Sequence, residues 1–393
     1  MDDDVFRGFA CPQVGLNPAL TELLVVDHTR LVVKEFLERN RAELAARAPG
    51  TDAVLESWGA ADGGFDVAWH PAFGDAHAAV LGGAVDPVRC ACALALRLAE
   101  AGHTGRWRAD LAEPARLRFG GRLLPATRTI RVTAEPDAVT IDTDGAGTVD
   151  LRRREAGWHT DQVPALPVLR RGPLRVTLST PLVLSPAAAD RLLHADAYTF
   201  GVEDSAAGGA DWTATCRAAI DLIADAAPVY LPWVATVLRE LIALRARPGT
   251  FNSGSERFSP GVVCVSDQPY VWPLAEMLVH EATHQYLNIL TRLGGLDDGS
   301  DEGRYFSPFR NKDRPIFFIV VAYHAFGNVL LFYRTARENG FLPSGMPAAE
   351  DFADRERTLR RQLGEIEPVL RRATSLTAFG RALWEPVSDQ IHR

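Results

Sequence analysis

The chain has 393 residues, a formal net charge of -8 at neutral pH and a pI near 5.7. That acidic balance argues against a nucleic-acid footprint or a surface made for anionic membranes. Hydrophobic residues make up 47% and charged residues 23%, the make-up of an ordinary globular protein with room for one large or two ordinary domains.

The leucines and valines from Asn17 to about Ala46 recur at three- and four-residue spacing with Phe36, which reads as a helix. Gly59 to Gly83, rich in Gly, Ala and Asp, reads as loop with short elements. Pro87 to Ala101 reads as a second helix, with Asp86 as its N-cap and Gly102 as its stop. Cys90 and Cys92 inside it face different ways and read as packing residues. At about Ala115 the character changes. Leu117-Arg118-Phe119, Thr129 to Val132, Val139 to Ile141, Thr148 to Leu151 and Leu174 to Leu178 are short alternating runs, the pattern of a small antiparallel sheet. Helices return from Ser185: Pro186 to Ala195, Asp211 to Ala226 and Val229 to Arg247. A short strand, Gly261 to Ser266, follows, and further helices are expected over Asp313 to Asn339, Ala348 to Arg372 and from about Leu376.

The expected fold is therefore α+β and mainly α-helical. It divides into an N-terminal helical region (1–114), a β-rich subdomain (115–184) and a helical metal-binding catalytic region (185–393). Five scattered cysteines without CxxC spacing imply neither a disulfide framework nor a thiolate zinc site, and a cytoplasmic location is the default. The start, Met1-Asp2-Asp3-Asp4, is acidic where a signal peptide is basic. The apolar run Pro315 to Tyr333 is long enough to resemble a membrane span, but His324 and Asn328 in its middle favour a buried helix. No membrane or nucleic-acid partner is expected.

Chemistry concentrates in His280-Glu281-Ala282-Thr283-His284, an HExxH motif. Trp272, Ala275, Leu278, Val279, Ala282, Tyr286, Leu290 and Leu293 set it on an amphipathic helix that Gly294-Gly295 stops. His280 and His284 then lie on one face and can grip one metal ion, with Glu281 beside the open positions. The plainer reading is a buried helix whose histidines bond to carbonyls. Leu287 and Leu290 stand where an HExxHxxGxxH protein has its glycine and third histidine, so the third ligand lies elsewhere. The candidates are Glu302, in the acidic stretch Asp297 to Glu302, and His324, in the apolar helix that follows. Two histidines and a glutamate make a zinc-peptidase set, whereas three imidazoles also suit a non-haem iron. Other constellations carry less. His159-Thr160-Asp161 is an HxD that reads as loop chemistry, Arg152-Arg153-Arg154 as a solvated turn or strand edge, and Ser253 and Ser255 lack any GxSxG context.

Between the two helices, Tyr305-Phe306-Ser307-Pro308-Phe309-Arg310, then Arg314-Pro315, then His324, follow the HEATH. Asn252-Ser253-Gly254-Ser255 and Pro260-Gly261-Val262-Val263 precede it. From about Ala219 to Tyr333 the chain resembles bacterial HExxH-motif proteins associated with peptide-modification gene clusters. That family is understood as Fe(II)- and 2-oxoglutarate-dependent β-hydroxylases of ribosomally made peptides. The resemblance implies that His280, His284 and His324 hold iron, and that an arginine, Arg310 or Arg314, binds the distal carboxylate of 2-oxoglutarate. The partner it implies is a precursor peptide. Arginine suits a dicarboxylate because its planar fork donates bidentately. Glu281 would orient a ligand or substrate in such an oxygenase. In the alternative, a zinc metallopeptidase, it is the general base. A third possibility is a helical scaffold that keeps a degenerate site.

Overall fold

The computed structural model describes residues 3–60, 64–145, 147–155, 157–181, 184, 210–244, 251–267, 269–341 and 352–393. The fold is α+β and mainly helical. Helix α1 (Pro18–Arg47) starts where Asn17 accepts the Leu20 amide at 3.1 Å, with Pro18 at the first helical position. Helices α2 (Thr51–Ala60), α3 (Phe65–Ala68) and α4 (Pro71–Val80) occupy most of the stretch expected as loop. The glycine signal misleads there because Gly74 serves a close approach. A Cβ at Gly74 would stand 1.9 Å from the Phe258 carbonyl oxygen. Helix α5 (Pro87–Glu100) begins as expected, with Asp86 capping the Val88 amide at 3.0 Å, and both of its cysteines are buried free thiols.

Two five-stranded sheets follow. The first is antiparallel: β1 (Gly105–Ala115), β4 (Thr127–Glu135), β5 (Ala138–Thr143), β6 (Gly147–Arg154) and β7 (Gly157–His159), in that order. Strands β2 (Arg118–Phe119) and β3 (Arg122–Leu123) form a separate small hairpin. The first sheet begins ten residues before the expected boundary at 115. Its buried positions, Trp107, Ala109 and Leu111, alternate correctly, but an alanine in the middle mutes the pattern.

The second sheet is mixed, in the order β11-β12-β10-β9-β8. It joins β8 (Val168–Arg171) and β9 (Leu174–Ser179) to β10 (Glu240–Leu244), β11 (Ser253–Gly254) and β12 (Val262–Ser266). It therefore runs across residue 184, tying the β-rich segment to the region that carries the HExxH helix. Strand β10 corrects an expectation. The helix expected over Val229 to Arg247 is α7 (Tyr230–Val237), after which the chain becomes a strand. All five residues of β10 are buried and both its neighbours are parallel, and a short run that is apolar throughout does not distinguish a core strand from a buried helix. Helix α6 (Ala210–Ala226) agrees with expectation, while the helix expected at Pro186 to Ala195 lies outside the described residues.

Strand β12 leads into α8 (Val271–Leu290), the motif helix. After it come the hairpin β13 (Tyr305–Ser307) and β14 (Lys312–Arg314), then α9 (Ile316–Glu338), α10 (Phe352–Arg372) and α11 (Ala378–Ile391). Helix α9 packs against α8, α10 and α11. It is long and apolar enough to cross a membrane, yet 72% of its most apolar window is buried inside the protein. Its central Asn328 is bonded, donating to the Ala10 carbonyl at 2.7 Å and to the His324 carbonyl at 2.9 Å.

The two glycines Gly74 and Gly364 separate helix propensity from packing. No atom lies within 4 Å of a Cβ placed on exposed Gly364 of α10. Gly364→Ala should therefore raise unfolding free energy by about 0.5–1 kcal/mol. Gly74→Ala gains the same propensity but collides with backbone and should lose about 1–3 kcal/mol net. Urea melts followed by circular dichroism test the pair, and equal effects at the two positions would contradict this packing.

Candidate metal centre

The motif helix is buried on every side except one narrow stripe. Glu276, His280, His284 and Asn288, spaced four apart, are half-buried, while all their neighbours from Met277 to Leu290 are fully buried. That stripe, as far as His284, forms one wall of a cleft of about 620 Å3. The opposite wall comes from the β13–β14 hairpin and the first turns of α9, and Arg310 and Arg314 line the same cleft.

His280 and His284 point their Nε2 atoms at each other, 3.0 Å apart, with ring planes at 89°. Burial pushes both imidazoles below the usual histidine range, so both are neutral and present lone pairs. For His280 the effect of burial is reinforced by His284 and then by the charges of Arg310 and Arg355. For His284 the Glu281 carboxylate opposes it. His280, Glu281 and His284 offer ligand atoms within 4.8 Å of one another, the one such group among the described residues.

Glu281 is 1% exposed, and both its oxygens are occupied. Ser253 Oγ donates to Oε1 at 2.6 Å and Ser255 Oγ donates to Oε2 at 2.7 Å. These serines, which the sequence does not support as nucleophiles, instead solvate a buried carboxylate. Their presence in the sequence before the motif is visible, but nothing local shows which side chain they meet.

His324 is fully buried on α9 and stands outside that three-residue group. Its Nε2 faces two carbonyl oxygens, Ala10 at 2.9 Å and Phe9 at 3.1 Å, so Nε2 carries the hydrogen and donates. Nδ1 is left with a buried lone pair and no partner. Burial pushes this imidazole down to about 3, keeping it neutral. A ring held by backbone carbonyls through one nitrogen, with the other nitrogen unpartnered, is the way metal-binding histidines are oriented. Neither His324 nor Glu302, the other candidate, lines the cleft, Glu302 being exposed, and His159 and Asp161 belong to no cluster of ligand atoms among the described residues.

The two arginines differ. Arg310 lies in the turn of the β13–β14 hairpin, close enough for its charge to lower both motif histidines. Beside it Phe309 stacks on Phe326 at 3.9 Å with planes at 1°, and Phe326 lies against the His280 ring at 4.8 Å. Arg314 instead spreads over the Phe318 ring, 4.2 Å from its centre. The structure adds a polar group at the N-terminal end of the stripe. Glu276 pairs with Arg355 of α10 and accepts the Tyr333 hydroxyl at 2.7 Å, and all three line the cleft. No sequence spacing signals this trio, because Arg355 lies 79 residues from Glu276.

No protein-family model matches this chain, and no curated protein matches it.

His280→Ala or His284→Ala should abolish stoichiometric binding of a divalent metal, read by metal analysis after dialysis. In the unsubstituted protein, lowered histidine pKa values favour the ligating form. Occupancy should therefore hold as pH falls through about 6.5, where a free histidine protonates, and decline only below it. A decline centred at or above about 6.5 would contradict a buried site.

Proposed function

We propose that this chain is an Fe(II)- and 2-oxoglutarate-dependent oxygenase that hydroxylates a side-chain β-carbon of a ribosomally made peptide. The observation that carries the reading is one cleft shared by the histidine pair and Arg310, with Glu281 closed off by two serines. His280 and His284 would hold iron, and His324, which stands outside their group of ligand atoms but keeps Nδ1 without a partner, is the proposed third ligand. Bound iron would supply the dioxygen activation that an unactivated C–H bond requires. Arg310 would bind the far carboxylate of 2-oxoglutarate through a bidentate contact, and its place next to the Phe309–Phe326 stack fixes that fork relative to His280. The electrons balance: 2-oxoglutarate loses carbon dioxide and becomes succinate, which takes one oxygen atom, and the other becomes the new hydroxyl. Glu281 stays a buried acceptor that fixes the β11 loop against the motif helix. The choice of a peptide and of its β-carbon rests on the resemblance alone.

The zinc-peptidase alternative needs Glu281 as a free base on the metal's water. Two short serine hydrogen bonds to its oxygens count against that role.

Anaerobic Fe(II) titration, with and without 2-oxoglutarate, tests the assignment through the weak visible band of the chelated complex. Arg310→Ala should keep the metal and raise the 2-oxoglutarate Kd by more than about tenfold, the loss of a charge-assisted bidentate contact. Arg314→Ala should have the smaller effect. Equal, normal binding by both variants would remove the cosubstrate site from this cleft.

His324 and Glu281 give a second check. His324→Ala should weaken iron binding while leaving the fold measurable by circular dichroism, and Glu281→Gln should retain 2-oxoglutarate turnover. Peptide cleavage that depends on Glu281 and ignores 2-oxoglutarate would transfer the protein to the peptidases.

A further inference from the structure

Arg153 and Arg154, at the end of β6, and Arg170 and Arg175, on β8 and β9, line one opening of about 510 Å3 together with Glu155 and Gly157. The four arginines come from two different sheets, and all are exposed. Among the described residues, none of their guanidinium groups has an ion pair or hydrogen bond; Arg153 alone has a contact, 5.9 Å over the Trp158 ring. Arg170 and Arg175 also stand directly opposite each other in the antiparallel β8–β9 register. Like charges so placed weaken a strand pair. The next residue, Arg171, has the opposite environment. It points to the other face and pairs with Asp221 at 3.2 Å and Asp225 at 2.9 Å. Acidic partners are thus supplied on one face of this hairpin and withheld on the other.

The opening continues into a larger cleft of about 560 Å3 that shares Arg153, Gly157, Arg170 and Arg175. The arginines deeper in that cleft all have partners: Arg97 pairs with Glu100, Arg118 with Glu240 and Arg239 with Asp66, while buried Arg122 donates to the carbonyls of Val163, Gly120 and Trp158. The unmatched charge therefore sits at the mouth, in a protein whose net charge is -8. Strands β7 and β8, which border it, are the end strands of their sheets, so an extended chain lying in the cleft meets strand edges.

We propose that this cleft docks an extended peptide segment rich in aspartate or glutamate. Guanidinium forks match carboxylates bidentately, and the desolvated partner relieves the Arg170–Arg175 repulsion. A single-stranded nucleic acid fits less well. The tryptophans that line the larger cleft, Trp69 and Trp158, are buried and offer no free face on which a base could stack, and the acidic remainder of the protein repels a polyanion longer than the cleft. The cleft shares no lining residue with the metal cleft, and the proposal stands on charge and shape whether or not the oxygenase reading holds.

The test is fluorescence anisotropy with the full chain and a labelled dodecapeptide of alternating Asp and Ser. Saturable binding that weakens with added salt is expected, together with a Kd at least about tenfold higher for Arg153→Glu/Arg170→Glu. The single variant Arg170→Glu turns a repelling cross-strand pair into an attracting one. It should melt no lower than the unsubstituted protein while losing peptide affinity, an outcome that separates docking from a structural role. An oligothymidylate of equal charge should fail to displace the peptide. The proposal is overturned by absence of saturable peptide binding, by unchanged affinity in the double variant, by a lower melting temperature for Arg170→Glu, or by displacement by the oligonucleotide.

Discussion

A helix buried on all sides but one governs the architecture of this protein. Each polar group on the closed sides of the motif helix has to be satisfied inside the protein. Gln285 accepts the Gly261 amide at 3.1 Å and donates to the Val262 carbonyl at 3.2 Å. The Tyr286 hydroxyl donates to the Trp233 carbonyl at 2.8 Å, and Thr283 donates to the Val279 carbonyl at 2.8 Å. These bonds fix the rotation of the helix about its axis, because a shift by one residue would bury His280 and leave several groups unpaired at about 1–3 kcal/mol each. The open stripe is what remains. Burial keeps its imidazoles neutral, and the hairpin opposite supplies cationic groups to the same cleft.

That hairpin is held as firmly as the helix. Its turn closes with the Arg310 amide donating to the Ser307 carbonyl at 3.1 Å, and Asn311 adopts φ 49°, a left-handed conformation that asparagine tolerates better than most residues. Phe309 is anchored on α9 by its stack. Arg310 is thereby carried on a turn anchored beside His280, and its charge adds to burial, the larger cause, in lowering both motif histidines.

Much of this is legible in the sequence, for reasons that differ by element. Helices with polar caps, such as those begun by Asn17 and Asp86, announce themselves because the cap and the period are both local. The motif helix is legible from its apolar spacing, although it ends at Leu290, before the expected Gly294-Gly295 stop and with Leu293 exposed beyond it, and its burial is more complete than an amphipathic helix implies. Strand β10 is not, since Glu240 to Leu244 carries no alternation when both faces are covered. Helix α4 escapes a local reading because Gly74 looks like a breaker, and only its contact with Phe258 shows why a glycine is there. The candidate metal ligands His280 and His284 are four residues apart, so spacing alone brings them together. The Ser253–Glu281 and Glu276–Arg355 bonds join positions 28 and 79 residues apart, and no periodicity encodes them.

The carbonyls of Phe9 and Ala10 that orient His324 belong to a short 3-10 segment, Asp3–Phe9, and the residue after it. The same segment touches the last helix: Phe6 packs edge-on against Phe379 at 5.2 Å, and Arg7 bonds Asp389 at 3.1 Å. During synthesis these residues leave the ribosome well before the surfaces that receive them, α9 and α11, which lie more than 300 residues further along the chain. The orientation of His324 is therefore among the last features of the fold to be set, and it depends on a closure of very long sequence separation, the slow kind. A nascent chain would carry the two motif histidines before the imidazole of His324 is locked by those carbonyls.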